Sequence, residues 1–502
     1  GPDAVSLFNS IDIPFGIYGC FNGIQAYSAE GGVCNVGTAA LPGDLSTNHH
    51  AMMTQNLYRL ATSRFEQIGM SWVKHDDWTS VLGSPTCSSL PCTACQDDDP
   101  PTCTTPPTLP VGCSDIYTVC QNGFQGPLLG PRSQVNAWTG VASWPFTPCN
   151  ATSVIACRLQ VPVSDLSFGP AYFLEQQIIT PDETVATRNN NVSYKAATVG
   201  ACGGGCSGLA CLETRSCTGA ACSSPVIGPC VYPITPSGTP SCQEPAIYAW
   251  KDNDVSVVET EFPVTGDGKF ILAAKAWNVS GCIWQYEYAL YNMNSDRSAW
   301  KFRVPLPTDL SPDDLTAIRT SAGFHDVDYH SGEPYSGTDW IPPTVASGSI
   351  TWATTPYTTN PNANALRWGT LYNFRFRAPR PPNNSATVTI DLFKTGTPSS
   401  VTGVSVAPAA GGACCTGTTC CVTTQAFCSS QGGTFKGVNT DCRDCDADGI
   451  PDECEGGPQG ACCLPEACID CLTQGDCTAR GGFWHQGGNC LVCAMLAPQP
   501  GP

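Results

Sequence analysis

The 502-residue chain carries 23 Lys and Arg against 42 Asp and Glu, a formal net charge of −19, and only 13% of its residues are charged. That balance argues against a nucleic-acid or anionic-membrane partner, which needs clustered Lys and Arg, and no apolar run approaches the ~18–20 residues that span a bilayer. The 33 cysteines argue against a reducing compartment, and their odd number leaves at least one to be free, modified or paired between chains.

With 50 Gly and 43 Pro, turns and extended segments should dominate over long helices. At about 100–200 residues per domain, two to four units are expected. The start, Gly1-Pro2-Asp3, reads as a mature secreted product whose signal peptide has been removed. Composition divides the chain into a mixed, β-rich N-terminal domain over 1–200, a Cys-rich insert over 201–242, a β-sandwich over 243–410 and a Cys-rich tail over 411–502. The expected fold class is therefore mainly β and multidomain, a β-sandwich plus disulfide-rich small modules.

In the N-terminal region Met53, Leu57 and Leu60 have helical spacing, but Gln55–Leu60 and Arg64–Trp72 also suit a hairpin around Ala61-Thr62-Ser63, and Ile68, Met70 and Trp72 alternate. The β reading is preferred. Loops follow, with Cys87 to Cys113 among Pro, Thr and Asp, and the 201–242 insert holds seven cysteines.

Residues 243–410 contain one cysteine, Cys282. Trp284, Tyr286, Tyr288 and Leu290 share a face at period 2, as do Tyr372, Phe374 and Phe376, and Ala386, Val388, Ile390 and Leu392. Further strands are expected at 255–263, 269–277, 300–306, 347–354 and 401–407. Seven or eight short strands between Pro, Gly and Asn turns predict a sandwich with one buried face per sheet.

The tail repeats itself. Gly412-Ala413-Cys414-Cys415 recurs as Gly460-Ala461-Cys462-Cys463, and Cys420, Cys428 and Cys442 match Cys468, Cys477 and Cys490. Units of this size bury too little core to stand alone and need bridges. Cys442-x-x-Cys445, Cys468-x-x-Cys471 and Cys490-x-x-Cys493 also have zinc-like spacing, but an oxidising setting favours disulfides.

Between the repeats, Asp444-Cys445-Asp446-Ala447-Asp448-Gly449-Ile450-Pro451-Asp452-Glu453-Cys454-Glu455 fits D-x-[DN]-x-[DN]-G-x5-E at all twelve positions. Calcium takes six to eight oxygens. Asp444, Asp446, Asp448, the Ile450 carbonyl, Asp452 (through water) and Glu455 are the candidate ligands, with Gly449 allowing the sharp turn. The bland alternative is a solvated acidic loop. Pro451 and the two internal cysteines do not suit an EF-hand.

The other candidate is His325-Asp326-Val327-Asp328-Tyr329-His330. On a strand, Asp326, Asp328 and His330 would share a face, with Glu333 following and His75-Asp76-Asp77 able to join in space. Such a set suits a transition metal or general-base chemistry. A hydrogen-bonded corner between strands, or a second calcium loop, are the alternatives. No GxSxG, HExxH, P-loop or CxxCH signature is present. Trp78, Trp138, Trp144 and Trp340 are candidates for stacking on sugars, and sequons at Asn150, Asn191, Asn278 and Asn383 mark possible glycosylation.

The DxDxDGxPD loop with flanking cysteines is similar to the calcium repeats of thrombospondin type 3 modules, which implies a structural ion. Segments Gln55–Leu60, Arg64–His75, Val111–Asp115, Leu129–Ser133, Tyr286–Leu290, Asn294–Arg297, Gly323–Pro334 and Asn364–Arg375 resemble an uncharacterised family of secreted bacterial surface proteins. The resemblance implies secretion and a surface location and carries no catalytic residues.

The resulting expectation is an extracellular structural protein, a subunit of a surface filament or layer stabilised by disulfides and Ca2+. Self-assembly is expected, with Ala4–Pro14 as one segment able to add a strand to a neighbour. A secreted metal-dependent enzyme and a glycan-binding surface adhesin are the alternatives.

Overall fold

The computed structural model describes residues 1–7, 15–76, 108–117, 122–123, 125–150, 153–200, 232–330, 332–346, 348–444, 449–455, 459–464 and 467–486. The molecule is mainly β, with 46% strand and 10% helix. No helix among the described residues is long and apolar enough to cross a membrane.

The N-terminal region is one curled antiparallel sheet. Its strands run in the order Ile234–Ser241, Val192–Val199, Ala171–Ile179, Ala51–Ala61, Arg64–Met70, Leu159–Pro162, Ile24–Ala29 and Phe15–Phe21. The hairpin reading of 55–72 holds: Ala61 pairs with Arg64, and Thr62 and Ser63 take φ of 48° and 63°. Two positive φ values give a turn whose twist matches that of the flanking strands. Met53 and Leu57 owe their spacing to a long strand and not to a helix. The 201–242 insert differs from expectation at its end, because Ile234–Ser241 joins this sheet against Val192–Val199; residues 201–231 lie outside the described set.

Curling brings Tyr27, Leu57, Ile68, Leu174, Val199 and Ile234 into one interior cluster. The opposite face carries Tyr58, Phe65, Phe173 and Tyr194. Alternation along each strand makes this possible, since neighbours such as Leu57 and Tyr58 point to opposite sides.

Ala4–Leu7 pairs with Gly31–Asn35, which pairs in turn with Ser114–Tyr117. Ala4 and Val5 are fully buried, and the Ala4 N–H donates to Glu183 Oε1 at 2.6 Å. The expected donor segment is thus engaged within its own chain over Ala4–Leu7; residues 8–14 lie outside the described set.

The sandwich is built from two five-stranded sheets. One runs Val258–Pro263, Lys269–Ser280, Ile283–Asn292, Thr370–Ala378 and Gly323–His325; the other runs Thr344–Ala346, Ser349–Ala353, Ala299–Pro305, Pro382–Leu392 and Ser400–Pro408. Tyr286, Tyr288, Leu290, Tyr372, Phe374 and Phe376 meet Phe302, Trp352, Val388 and Ile390 in its core. The predicted faces are therefore the inner faces.

The expectation of one buried face fails for the first sheet. Its outward residues Ile271, Ala273, Ala289, Tyr291 and Leu371 pack on Tyr58, Phe65 and Phe173 of the N-terminal sheet. Three β layers result, and the middle one is covered on its inner face and on part of its outer face, where Arg375 and Arg377 remain exposed. Covering a large apolar side chain contributes about 1.5–3 kcal/mol, so this second contact is a substantial source of stability.

The tail forms two small three-stranded sheets, one for each repeat. Cys414–Cys428 and Cys462–Cys477 are equivalent bridges, as the matched spacing requires. Cys420–Cys442 and Cys415–Cys454 complete the first repeat. Cys421 bridges to Cys282 at the tip of the sandwich hairpin, beside an edge contact of Trp284 with Phe427 at 5.3 Å. In the chain-entropy model, closing a loop with separation 139 contributes roughly 5 kcal/mol. Cys282→Ser with Cys421→Ser is expected to loosen the tail. Limited proteolysis should then release a tail fragment that the native protein keeps; equal resistance of the two would argue against the tether.

Candidate functional site

The acidic loop is shaped by its backbone. Gly449 adopts φ 93°, a conformation open to glycine at little cost. Its N–H donates to Asp444 Oδ2 at 2.9 Å, and the Asp452 N–H donates to Arg443 O at 2.9 Å. The chain therefore folds back between positions 1 and 9. Asp452 is buried, at 3% exposure, and Cys454 is bridged to Cys415. Asp444, Ile450, Asp452 and Glu455 belong to this described framework; Asp446 and Asp448 lie outside the described residues. The sulfurs of Cys415, Cys420 and Cys454 lie within 4.8 Å of one another. All three are in disulfides, so they present no thiolate to a metal.

The His325–His330 segment does not form the shared face expected of a strand. The strand ends at His325, and period-2 geometry stops there. Asp326 accepts from Asn364 Nδ2 at 2.7 Å, and burial pushes its carboxyl up to about 7. Asp328 is exposed. His330 donates from Nε2 to Met70 O at 2.7 Å, and burial holds its imidazole down at about 4, hence neutral. Among the described residues these side chains converge with no third ligand, so the metal set Asp326, Asp328, His330 is not assembled.

They serve a strap instead. His325 Nε2 lies 3.3 Å from Gln67 O, His330 reaches Met70 O, and Glu333 accepts the N–H groups of Arg132 and Ser133 at 2.6 and 3.2 Å. The strap thereby joins the sandwich to the N-terminal sheet.

Arg132 sits at the centre of this junction. Its Nε donates to Ser71 O at 2.6 Å, Nη1 to Gly369 O at 3.1 Å, and Nη2 to Gln55 O at 3.1 Å and Asn56 Oδ1 at 2.9 Å. The guanidinium also lies over Trp368 at 5.5 Å. Nearby, buried Glu175 collects Asn56 Nδ2, Tyr58 OH, Tyr291 OH and the Ala246 N–H at 2.8–3.0 Å. Burial raises the Glu175 carboxyl, and its four donors oppose that rise. A fork with several fixed donors suits arginine alone.

His75 does not join the strap either. His50 Nδ1 faces the Thr47 carbonyl at 2.9 Å, so that nitrogen carries the proton. His50 Nε2 then accepts from His75 Nδ1 at 2.9 Å. The His75 ring stacks on Phe146 with centroids 3.6 Å apart, and burial holds it down at about 3. Among the sugar-stacking candidates, Trp138 and Trp340 are core residues, whereas Trp144 is 38% exposed; Trp78 lies outside the described residues. Asn191 is buried on Glu183, whereas Asn150, Asn278 and Asn383 are exposed.

No family model, curated protein or solved structure matches this chain.

Five of the eight segments that carried the sequence resemblance nonetheless meet in space. Gln55 and Asn56, Ser71, Leu129–Ser133, Gly323–Pro334 and Asn364–Arg375 all contribute to the junction around Arg132. Sequence reasoning missed Arg132 and Glu175. The available signal was Glu175-Gln176-Gln177, a polar run inside the otherwise apolar strand Ala171–Ile179.

Proposed function

We propose that the chain is an extracellular structural protein, a subunit of a surface filament or layer, stabilised by disulfides and calcium. The observation that carries this reading is a covalent series. The sandwich is tied to the first repeat by Cys282–Cys421, and that repeat is tied to the acidic loop by Cys415–Cys454. Each bridge joins separate elements and not the two ends of one element, as suits a part that must keep its shape outside the cell. The buried Arg132 and Glu175 networks fix the remaining layer in the same way.

Calcium would be held by Asp444, Asp446, Asp448, the Ile450 carbonyl, Asp452 and Glu455. The backbone turn at Gly449 and the Cys454 clamp suit this hard cation, which needs oxygens presented by a tightly turned loop. It would supply positive charge where five carboxylates otherwise repel one another. Native protein in millimolar calcium is expected to form ordered assemblies visible by negative-stain microscopy. Chelation should raise loop proteolysis and disperse the assemblies. Dispersed monomers at high concentration in calcium would count against assembly; unchanged proteolysis on chelation would count against the ion.

A further inference from the structure

Ala299–Pro305 pairs with Pro382–Leu392 through Ala299 opposite Leu392 and then Lys301 opposite Asp391. Trp300 is therefore the surplus residue of a β-bulge, a device that re-aims a side chain. Its indole lies half-buried against Ala363, Ala365 and Phe393, with Lys301 Nζ 4.1 Å from its ring centroid. Trp300 and Tyr357 help line an open cleft of about 360 Å³, within the range of about 300–1,000 Å³ typical of small-ligand sites.

The rest of the lining is mixed, with Pro356, Leu392 and Phe393 beside Arg297, Asp391 and Lys394. Arg297 is held in place by donating from Nε to Lys394 O and from Nη2 to Pro398 O, both at 2.9 Å. Its Nη1 rests against Gly396, where a Cβ would come within 3.0 Å. The indole N–H of Trp300 and the hydroxyls of Tyr357, Thr358 and Thr395 bond to no group among the described residues. A cleft with two aromatic walls and unspent donors matches a polyhydroxylated ring, whose C–H face suits the negative face of an aromatic.

Charge narrows the class. Arg297, Lys301, Arg303 and Lys394 gather here, against Asp267, Asp296 and Asp391. Four cations against three carboxylates leave an excess of one positive charge at this end of a chain whose net charge is −19; of the cleft-lining groups, Lys394 already pairs with Asp296 at 2.7 Å and Asp391 faces the same cleft. Asp391 is taken up by Lys301 at 3.5 Å and Arg303 at 3.2 Å.

We propose that this cleft binds a saccharide bearing a carboxylate, a uronic-acid unit, with its ring on Trp300 and Tyr357 and its carboxylate toward Arg297 and Lys394. The inference is independent of self-assembly. Titration calorimetry of the full chain with an oligouronate trimer is expected to show binding, with a neutral oligosaccharide of the same length at least about tenfold weaker. Trp300→Ala should reduce uronate affinity about tenfold or more. Lys394→Gln should reduce it up to about fivefold and weaken its salt dependence. Tyr357→Ala, with an unchanged melting temperature, substitutes for the tryptophan variant if that variant fails to fold. Absence of uronate binding, equal affinity for the neutral sugar, or full affinity in both aromatic variants would overturn the proposal.

Discussion

Arg132→Met is expected to cost about 3–5 kcal/mol of stability. The side chain is buried, so the loss is not softened by water. Ser71 O and Asn56 Oδ1 would lose their donor, and each orphaned buried acceptor carries a penalty of about 1–3 kcal/mol; Gly369 O and Gln55 O would lose one donor but keep others, from Asn56 and Gln67 and from Ser71 respectively. Methionine fills similar space, so most of the effect comes from lost donors and not from a cavity. Arg132→Lys should not restore stability, because one ammonium cannot reach all four acceptors. Urea denaturation followed by near-UV circular dichroism, with bridges intact, provides the check. An unchanged midpoint would show that the junction tolerates their loss. Because the acceptors belong to both the N-terminal sheet and the sandwich, the variant should also expose new protease sites at their interface.

Stability is expected to rise as pH falls from 8 to about 6.5, and to fall again below about 4.5. Glu183 is buried against Ala4 and Asn191, and burial pushes it up to about 8. A raised carboxyl contributes stability fully below its ordinary value near 4.5 and loses it as pH rises through 8. Between pH 8 and 6.5 this group alone supplies about 2 kcal/mol; half-buried Asp326 adds in the same direction. His75 and His330 act oppositely, being held down at about 3 and about 4. Their contribution is complete above 6.5 and drains away as pH falls through those values. The two trends offset one another between 6.5 and 4.5. Below that the carboxylates are spent and the imidazoles decide. Melting temperature against pH tests the shape, and Glu183→Gln should flatten its alkaline side. A stability curve that climbs steadily to pH 8 would contradict this assignment.

Much of the fold was legible because strand periodicity is local. Val388 and Ile390, or Tyr372 and Phe374, declare their inner face by alternation alone. The buried outer face of the same sheet was not legible. Ile271, Ala273 and Leu371 stand at positions that an isolated sandwich would leave wet, and they are covered largely by Tyr58, Phe65 and Phe173, residues of a sheet far away in sequence. Matched spacing showed which cysteines of the two repeats are equivalent but not which pair with which, and Cys282–Cys421 links a lone cysteine to one of fifteen, a choice that spacing cannot make. The His325–His330 segment misled for a physical reason: titratable groups on an expected strand resemble a ligand set, but the strand stops at His325 and the groups scatter to separate partners. Arg132, one arginine in a Pro-Arg-Ser turn, carries no local mark of its burial.

The Cys282–Cys421 bridge has a mechanical consequence. Tension applied between the N-terminal sheet and the second repeat would cross from residue 282 to residue 421 through sulfur. The intervening strands, from Ile283 through Pro408, sit in a closed loop that the pull bypasses. Roughly 470 Å of contour is thereby withheld from stretching for as long as the sulfur link holds.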